Sequence, residues 1–376
     1  MAVLCGIDVL IEEGFRPVAG QRVGLVTNHT GLTRDLRSTI DVLHEALDVR
    51  LEALFGPEHG IRGDRDEKVP DDTDPRTGLP VYSLYGKSLS PDVQVLERLD
   101  ALVFDIQDIG CRYYTYISTL GLCMEACAKA GIHFVVLDRP NPIGGTLVEG
   151  PVADADSLSF TAWHPLPIRH GLTVGELARL FNVERNIGAG LIVVPCRGWR
   201  RGDYFEATGL TWINPSPNMR CLNQATLYPG IGLLETTNLS VGRGTDTPFE
   251  HFGAPWLDAP RLAAELNARK LPGVAFVPNR FKPTYSVFQG MLCNGVNVII
   301  TNRAQFRPVR VGMEIAAALY RLHKDVWQVE RYARLLVHRK TLDALKSGAD
   351  PAEIERSWAP DIRAFQRRRA PFMLYS

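Results

Sequence analysis

Four apolar runs near the start of the chain each end in a polar cluster. RVGLVTN leads into Thr27-Asn28-His29-Thr30, and RLEALF into Gly56-Pro57-Glu58-His59-Gly60. ALVFDIQ carries Asp105-Ile106-Gln107-Asp108, and HFVVLD leads into Asp138-Arg139-Pro140-Asn141. Carboxylates exchange protons, and amides and imidazoles hydrogen-bond hydroxyls. Tyr82, Tyr85, Tyr113, Tyr114 and Tyr116 add aromatic faces of the kind that stack on sugar rings. Together these are the inventory of a carbohydrate site. Glu58 is the best single acid. Pro57 fixes the backbone before it, and His59-Gly60 permits a sharp turn after it. A glutamate at the mouth of an apolar sheet has its neutral form favoured by desolvation, which a general acid near neutral pH requires.

Other chemistries lack their signatures. GxGxxG is missing, so there is no dinucleotide fingerprint, and GxxxxGK[ST] is missing, so nothing cradles a triphosphate. HExxH and GxSxG are also missing. Gly242-Arg243-Gly244-Thr245 is only a short glycine turn. A metal site would have to gather His29, His59 and Asp105 from three separate segments. The residues lean toward a carbohydrate site with no cofactor, and the metal site stays open beside it.

The elements that must position these residues alternate. Strand signals at Arg22–Asn28, Arg50–Phe55, Ala101–Gln107 and His133–Asp138 are separated by helical spacing at 38–47 and 116–130. A short helix opens at Ser90-Pro91-Asp92. Strands alternating with helices give right-handed crossovers and a mostly parallel sheet covered on both faces. In such sheets ligands bind outside the carboxyl ends of the strands, where the four clusters fall. Residues 151–170, rich in Pro, Ser and Asp, read as a linker. Thr173 and Glu176 then form a capping-box pattern, and Gly190–Cys196 reads as a further strand. The expected class is α/β: a Rossmann-like, mostly parallel sheet sandwich over residues 1–165. An α+β domain is expected over residues 166–376.

Composition narrows the partners. The 376 residues carry 42 Lys plus Arg against 42 Asp plus Glu, so no basic surplus exists for a nucleic acid. No window approaches 18 consecutive apolar residues, so no membrane insertion is expected. The seven cysteines include no CxxC, and Cys123 and Cys127 share one face of a helix as small buried hydrophobes. The compartment reads as reducing.

Several blocks resemble one family. LFGPEHGIRG (54–63), TGLPVYSLYG (77–86), VFDIQDIGCRYYTYISTL (103–120) and VVLDRPNPIGGTLVEG (135–150) are joined by RHGLTVGELA (169–178) and ETTNLSVGRGTDTPFEHFGAPW (235–256). They are similar to the NamZ-type exo-β-N-acetylmuramidases, formerly a domain of unknown function, over nearly the whole chain. The resemblance implies a Rossmann-like first domain, a smaller second domain and a cleft between them. It implies release of terminal, non-reducing N-acetylmuramic acid from peptidoglycan fragments, a small glycan substrate. The family's proposed catalytic glutamate falls on Glu58. Asp105 and Asp108 are the candidates for a base or stabiliser, and attack by the sugar's own acetamido oxygen stays open beside them. Asn28, His59, Gln107 and Asn141 are candidates to bind hydroxyls, with Tyr114 among the stacking tyrosines. Glu235, Asn238 and Arg243 would close the cleft. The lactyl carboxylate calls for a guanidinium, and Arg62, Arg112, Arg139 and Arg243 lie in or beside these blocks. Cys111 departs from the small residue expected there and reads as a packing variant.

Two rival readings use the same residues: a non-catalytic muropeptide-binding protein, and a metal-dependent hydrolase built on His29, His59 and Asp105. Met1–Leu10 holds Asp8 and no basic n-region, so the expected compartment is cytoplasmic, with export by a missing leader as the alternative.

Overall fold

The apolar runs become the parallel strands of one large sheet. In the computed structural model, which describes residues 3–57, 61, 72–85 and 88–376, β1 (Arg22–Thr27), β2 (Arg50–Gly56), β3 (Asp72–Thr73), β4 (Pro80–Ser83), β5 (Ala101–Asp105) and β6 (His133–Leu137) lie in it. β7 (Glu149–Val152) and β8 (Pro167–Arg169) form a separate antiparallel pair. β9 (Gly190–Val194) then returns to the large sheet. The order is β3-β4-β2-β1-β5-β6-β9, parallel except for β3 against β4.

Alternation along each strand feeds two cores. Val23, Leu25, Ala101, Val103 and Val135 face α1 (Gly6–Glu12) and α2 (Thr39–Glu45). On the other face Val26, Phe55, Leu102, Phe104 and Phe134 meet the long helix α4 (Tyr116–Ala130) and α5 (Val174–Glu184). The short α3 (Val93–Leu96) precedes β5, and its N-cap is Asp92 rather than the expected Ser90. The expected capping box of Thr173 and Glu176 opens α5.

The second half builds a three-stranded antiparallel sheet, β10-β12-β11, from β10 (His251–Ala254), β11 (Val274–Phe281) and β12 (Cys293–Ile300). It packs with α6 (Leu222–Ile231), α7 (Ala259–Ala268) and α8 (Pro308–His323) through Leu227, Phe252, Val296, Ile315 and Leu319. Four short helices end the chain: α9 (Ala333–Leu336), α10 (Arg339–Lys346), α11 (Pro351–Ser357) and α12 (Ala359–Arg369).

The α/β class holds, but the sheet runs past the expected boundary at residue 165. β9 pairs in register with β6, and α12 returns to bury Phe365 in the core beneath α4 and α5. The expected linker is exposed in its middle, at Ala155, Asp156, Ser157 and Ser159, but packed at both ends. Its end forms β8, where buried Arg169 pairs with Glu149 at 3.0 Å. No helix among the described residues is long and apolar enough to cross a membrane.

Candidate active site

Strand order reverses at β1. The chain runs outward through β2 and β4 on one side and through β5, β6 and β9 on the other. The crevice outside the carboxyl ends of β1 and β5 is the topological switch point where open α/β sheets bind ligands. Asn28 and His29 leave β1 there, and Gln107 and Asp108 leave β5.

Much of the polar inventory at this edge holds itself together. Asn28 Oδ1 accepts from the Thr30 amide at 2.9 Å and from its hydroxyl at 2.6 Å. Thr30 Oγ1 accepts in turn from the Gln107 amide at 3.0 Å. Gln107 Nε2 donates to the Asp108 and Pro140 carbonyls. Asn141 donates to the Leu172 carbonyl and accepts from the Ile143 amide. His29 Nε2 meets the Asn214 carbonyl at 2.5 Å. Asp138 accepts from Thr173 Oγ1 and the Gly175 amide, so it serves the start of α5. Only glycine fits at 175, because a Cβ there would stand 2.7 Å from the Asp138 carboxyl carbon.

The two aspartates of β5 have opposite fates. Asp105 is fully buried. Its Oδ1 accepts from Arg139 Nε at 2.5 Å, and its Oδ2 accepts from Arg139 Nη2 at 2.9 Å and Thr39 Oγ1 at 2.5 Å. A carboxylate so filled is a structural ion pair, and removing one partner of such a pair typically costs about 3–5 kcal/mol. Its expected role as base or stabiliser is corrected on that ground. Asp108 is also buried, and its Oδ2 accepts from the Gly110 amide at 2.6 Å. Its Oδ1 is a buried oxygen with no hydrogen-bond partner among the described residues. Burial pushes this carboxyl up to about 7, against the amides of Gly110 and Ile109. Gly110 sits at φ +80°, and a Cβ there would strike the Asn141 side chain, so the loop geometry depends on glycine.

The arginines separate in the same way. Arg112, at 1% exposure, donates to the carbonyls of Pro151, Leu166, Leu335 and Leu336. It clamps the β7–β8 pair to α9, which corrects its expected place as a lactyl partner. Arg139 is taken by Asp105 and the Leu32 carbonyl. Arg243 differs. It is half-buried, its Nη1 pairs with the Glu235 side chain rather than with backbone carbonyls, and it lines a cavity.

Arg243 and Glu235 wall a cavity of about 170 Å³ with Tyr113, Tyr114, Tyr116, Tyr228 and Phe249. The rings pack edge to face: Tyr114 lies 5.0 Å from Tyr116 and 5.9 Å from Tyr228, and Tyr228 lies 4.8 Å from Phe249. Tyr113 donates to the Tyr228 carbonyl and Tyr116 to the Pro215 carbonyl, which fixes the wall. Ser216 and Asn218 complete the lining, and Asn218 accepts from Tyr285 at 2.6 Å. Burial raises the Tyr114 phenol well above its ordinary value, and the charges of Tyr116 and Asp108 add to that. The hollow offers aromatic faces and an ion pair.

Tyr82 belongs elsewhere, stacked on Phe55 at 5.4 Å. Asn238 also lies away from this wall, bridging the Val326 carbonyl and the Gln328 amide. Its expected part in closing the cleft is corrected to joining two segments of the second half. Tyr228 and the loop at Ser216 and Asn218 were not among the expected site residues. Their sole signal is Pro215-Ser216-Pro217-Asn218, a proline-punctuated loop with no periodicity.

Glu58, His59 and Arg62 lie outside the described residues. Among the described residues, no group of three or more His, Cys, Asp or Glu side chains could hold a metal ion. Asp105 is in any case committed to Arg139 rather than to a metal. Cys111 is fully buried, and burial pushes its thiol up to about 12, so it packs and does not attack.

The chain matches known proteins from end to end. The family model for exo-β-N-acetylmuramidase NamZ, N-terminal, fits residues 23–223, and its C-terminal counterpart fits 226–375. The peptidoglycan β-N-acetylmuramidase NamZ of Bacillus subtilis (strain 168) is 41% identical over 378 aligned residues, 99% of this chain and 91% of that protein. The crystal structure of a DUF1343 family protein from Bacteroides fragilis NCTC 9343 superposes with a TM-score of 0.93 at 40% identity, over 100% of this chain and 99% of that one. A second DUF1343 family protein from the same organism gives 0.80 at 28% identity, with the same coverage.

Proposed function

The chain belongs to the exo-β-N-acetylmuramidase NamZ family, and from that premise we propose how its residues divide the work of a glycosidase that acts on peptidoglycan. The enzyme releases N-acetylmuramic acid from non-reducing ends, and its substrate is a muropeptide or a disaccharide that begins with that sugar. The observation that carries this reading is the agreement of both family domains with a relative of that activity along 99% of the chain. Release of a chromophore from a β-linked N-acetylmuramic acid glycoside tests it. Turnover is expected on that glycoside, unchanged by a chelator. Binding without turnover would instead leave a muropeptide-binding protein.

Glu58 protonates the glycosidic oxygen as the oxocarbenium-like transition state develops. Asp108, not Asp105, is the second group. A carboxyl that burial favours neutral, with one oxygen unpartnered among the described residues, supports this, whereas both oxygens of Asp105 are held by Arg139 and Thr39. Ionised Asp108 either takes a proton from the attacking water or holds the acetamido N–H while the acetamido oxygen attacks.

Arg243 is the partner for the lactyl carboxylate. It faces the aromatic cavity, and Arg112 and Arg139 are spent on carbonyls and on Asp105. A guanidinium fork matches a carboxylate bidentately, and a lysine does not. Arg243→Lys is therefore expected to raise KM for muramic acid glycosides by about tenfold or more, with weak activity on glucosamine analogues unchanged. Equal losses on both sugars would remove Arg243 from this role.

A further inference from the structure

Two thiols far apart in sequence face each other behind the site. Leu4 and Arg197 exchange both backbone hydrogen bonds, at 3.0 and 2.9 Å, as an antiparallel bridge. The next pair along such a ladder is Cys5 opposite Cys196. It is a non-hydrogen-bonded pair, the kind whose Cα atoms approach to about 4.5 Å. That separation falls within the span a disulfide bridges, roughly 4.4–6.8 Å. Both residues are buried, at 1% and 5% exposure. The Cys196 thiol donates to the Asp138 carbonyl at 3.1 Å and also meets the Cys5 side chain. None of the other five cysteines has a second cysteine on a facing strand: Cys123 and Cys127 are one helical turn apart in α4.

We propose that Cys5 and Cys196 are a latent cross-strand disulfide, closed by a low-molecular-weight disulfide, that ties the segment before α1 to the end of β9. The chemistry is thiol–disulfide exchange. One cysteine thiolate attacks the small disulfide, expelling one small thiol and leaving a mixed disulfide. The second cysteine then displaces the other small thiol. One Sγ–Sγ bond forms, two cysteine thiols are oxidised, and the small disulfide is reduced to two thiols that take up the two protons. The hollow beside Cys5, lined by Thr30, Gln107, Arg139 and Phe205, holds only about 30 Å³. Burial also holds the Cys196 thiol well above its ordinary value. Exchange therefore belongs to folding, before the pair is enclosed, rather than to the folded enzyme.

The test is to refold the full chain with oxidised and reduced glutathione, and separately with excess dithiothreitol. Free thiols are then alkylated and the disulfides mapped by mass spectrometry. The expected product of the glutathione arm is a peptide pair joining Cys5 to Cys196, lighter by two hydrogens. Closing so long a loop is expected to raise Tm by on the order of 5 °C over the reduced protein. Cys5→Ser and Cys196→Ser, which keep a small polar donor, should each erase the difference between the two arms. Cys5→Ala serves where serine disturbs the cap of α1. Alkylation of both cysteines in the glutathione arm, or a Tm difference that survives all three variants, overturns the proposal. Glutathione attached only to half-buried Cys221 would do the same.

Discussion

Glu58→Gln is expected to remove turnover while leaving folding unchanged. The substitution keeps the size of the side chain and removes only its capacity to give up a proton. Two independent lines lead to this residue. The first is chemical: a glutamate between Pro57 and His59-Gly60, directly after an apolar strand that ends in a parallel sheet. β2 does end there, with its Gly56 carbonyl accepting from Leu84 at 2.8 Å beside β4. The second is the resemblance of GPEHG to the family's proposed acid. Loss of a general acid typically costs about 100- to 10,000-fold in rate. The measurement is kcat on an N-acetylmuramic acid glycoside whose leaving group needs protonation. It is paired with the same measurement on an activated phenol that needs little. The loss should be large on the first and small on the second. A variant retaining more than half the rate on the poor leaving group would dismiss Glu58 as the acid.

What the sequence disclosed follows from which forces leave a local trace. β1, β5 and β6 lie inside the sheet and are buried over nearly their whole length, so they read as apolar runs; β9, the edge strand, is only partly buried yet reads as GLIVV. The capping box at Thr173 and Glu176 and the stop at Gly131, which takes φ +70°, are likewise local chemistry. The pair β7–β8 left no such trace. It is held by long-range polar contacts, Arg169 to Glu149 and Arg112 to four carbonyls from two distant segments. A Pro- and Ser-rich stretch then looks like a solvated linker although Arg169 is buried. Taking that stretch as a linker also separates β9 from the sheet in which it pairs with β6.

The site was legible by location and not by role. Strand ends told where polar groups gather, and the switch point between β1 and β5 agrees. Whether a given aspartate is filled or bare depends on partners far away in sequence. Asp105 meets Thr39 and Arg139, and nothing in DIQD distinguishes it from Asp108. Arg112 and Arg243 look equally available in their motifs, yet one is enclosed by carbonyls and the other borders a cavity. The aromatic wall also needed the fold, because Tyr228 and Phe249 come from the second half and meet Tyr113 and Tyr114 only in space.

Asp108→Asn should both inactivate and stabilise the enzyme, a combination that a merely structural aspartate would not give. The carboxyl titrates near 7 in the folded protein and at 3.8 in an unstructured chain. Between these values the folded state holds a proton that the unfolded state has released. Stability linked to this group is therefore fully present below pH 3.8 and is lost as pH rises through about 7. An amide does not titrate, so the variant escapes the loss. Its oxygen can still accept from the Gly110 amide. Relative to wild type, its stability should climb from pH 4 to 7 and level off above, by about 2–4 kcal/mol in all. Denaturant unfolding across that range measures the difference. On the catalytic side, a second group that must be ionised gives kcat/KM a rising limb near pH 7 in the wild type. In the variant that limb should vanish, with a loss on the order of 100-fold or more at its top. A variant that is destabilised at pH 7, or that keeps the limb, would return Asp108 to the scaffold. Stabilisation with the limb erased would mark it as a carboxyl held ready at a cost to the fold, as catalytic groups in buried sites are.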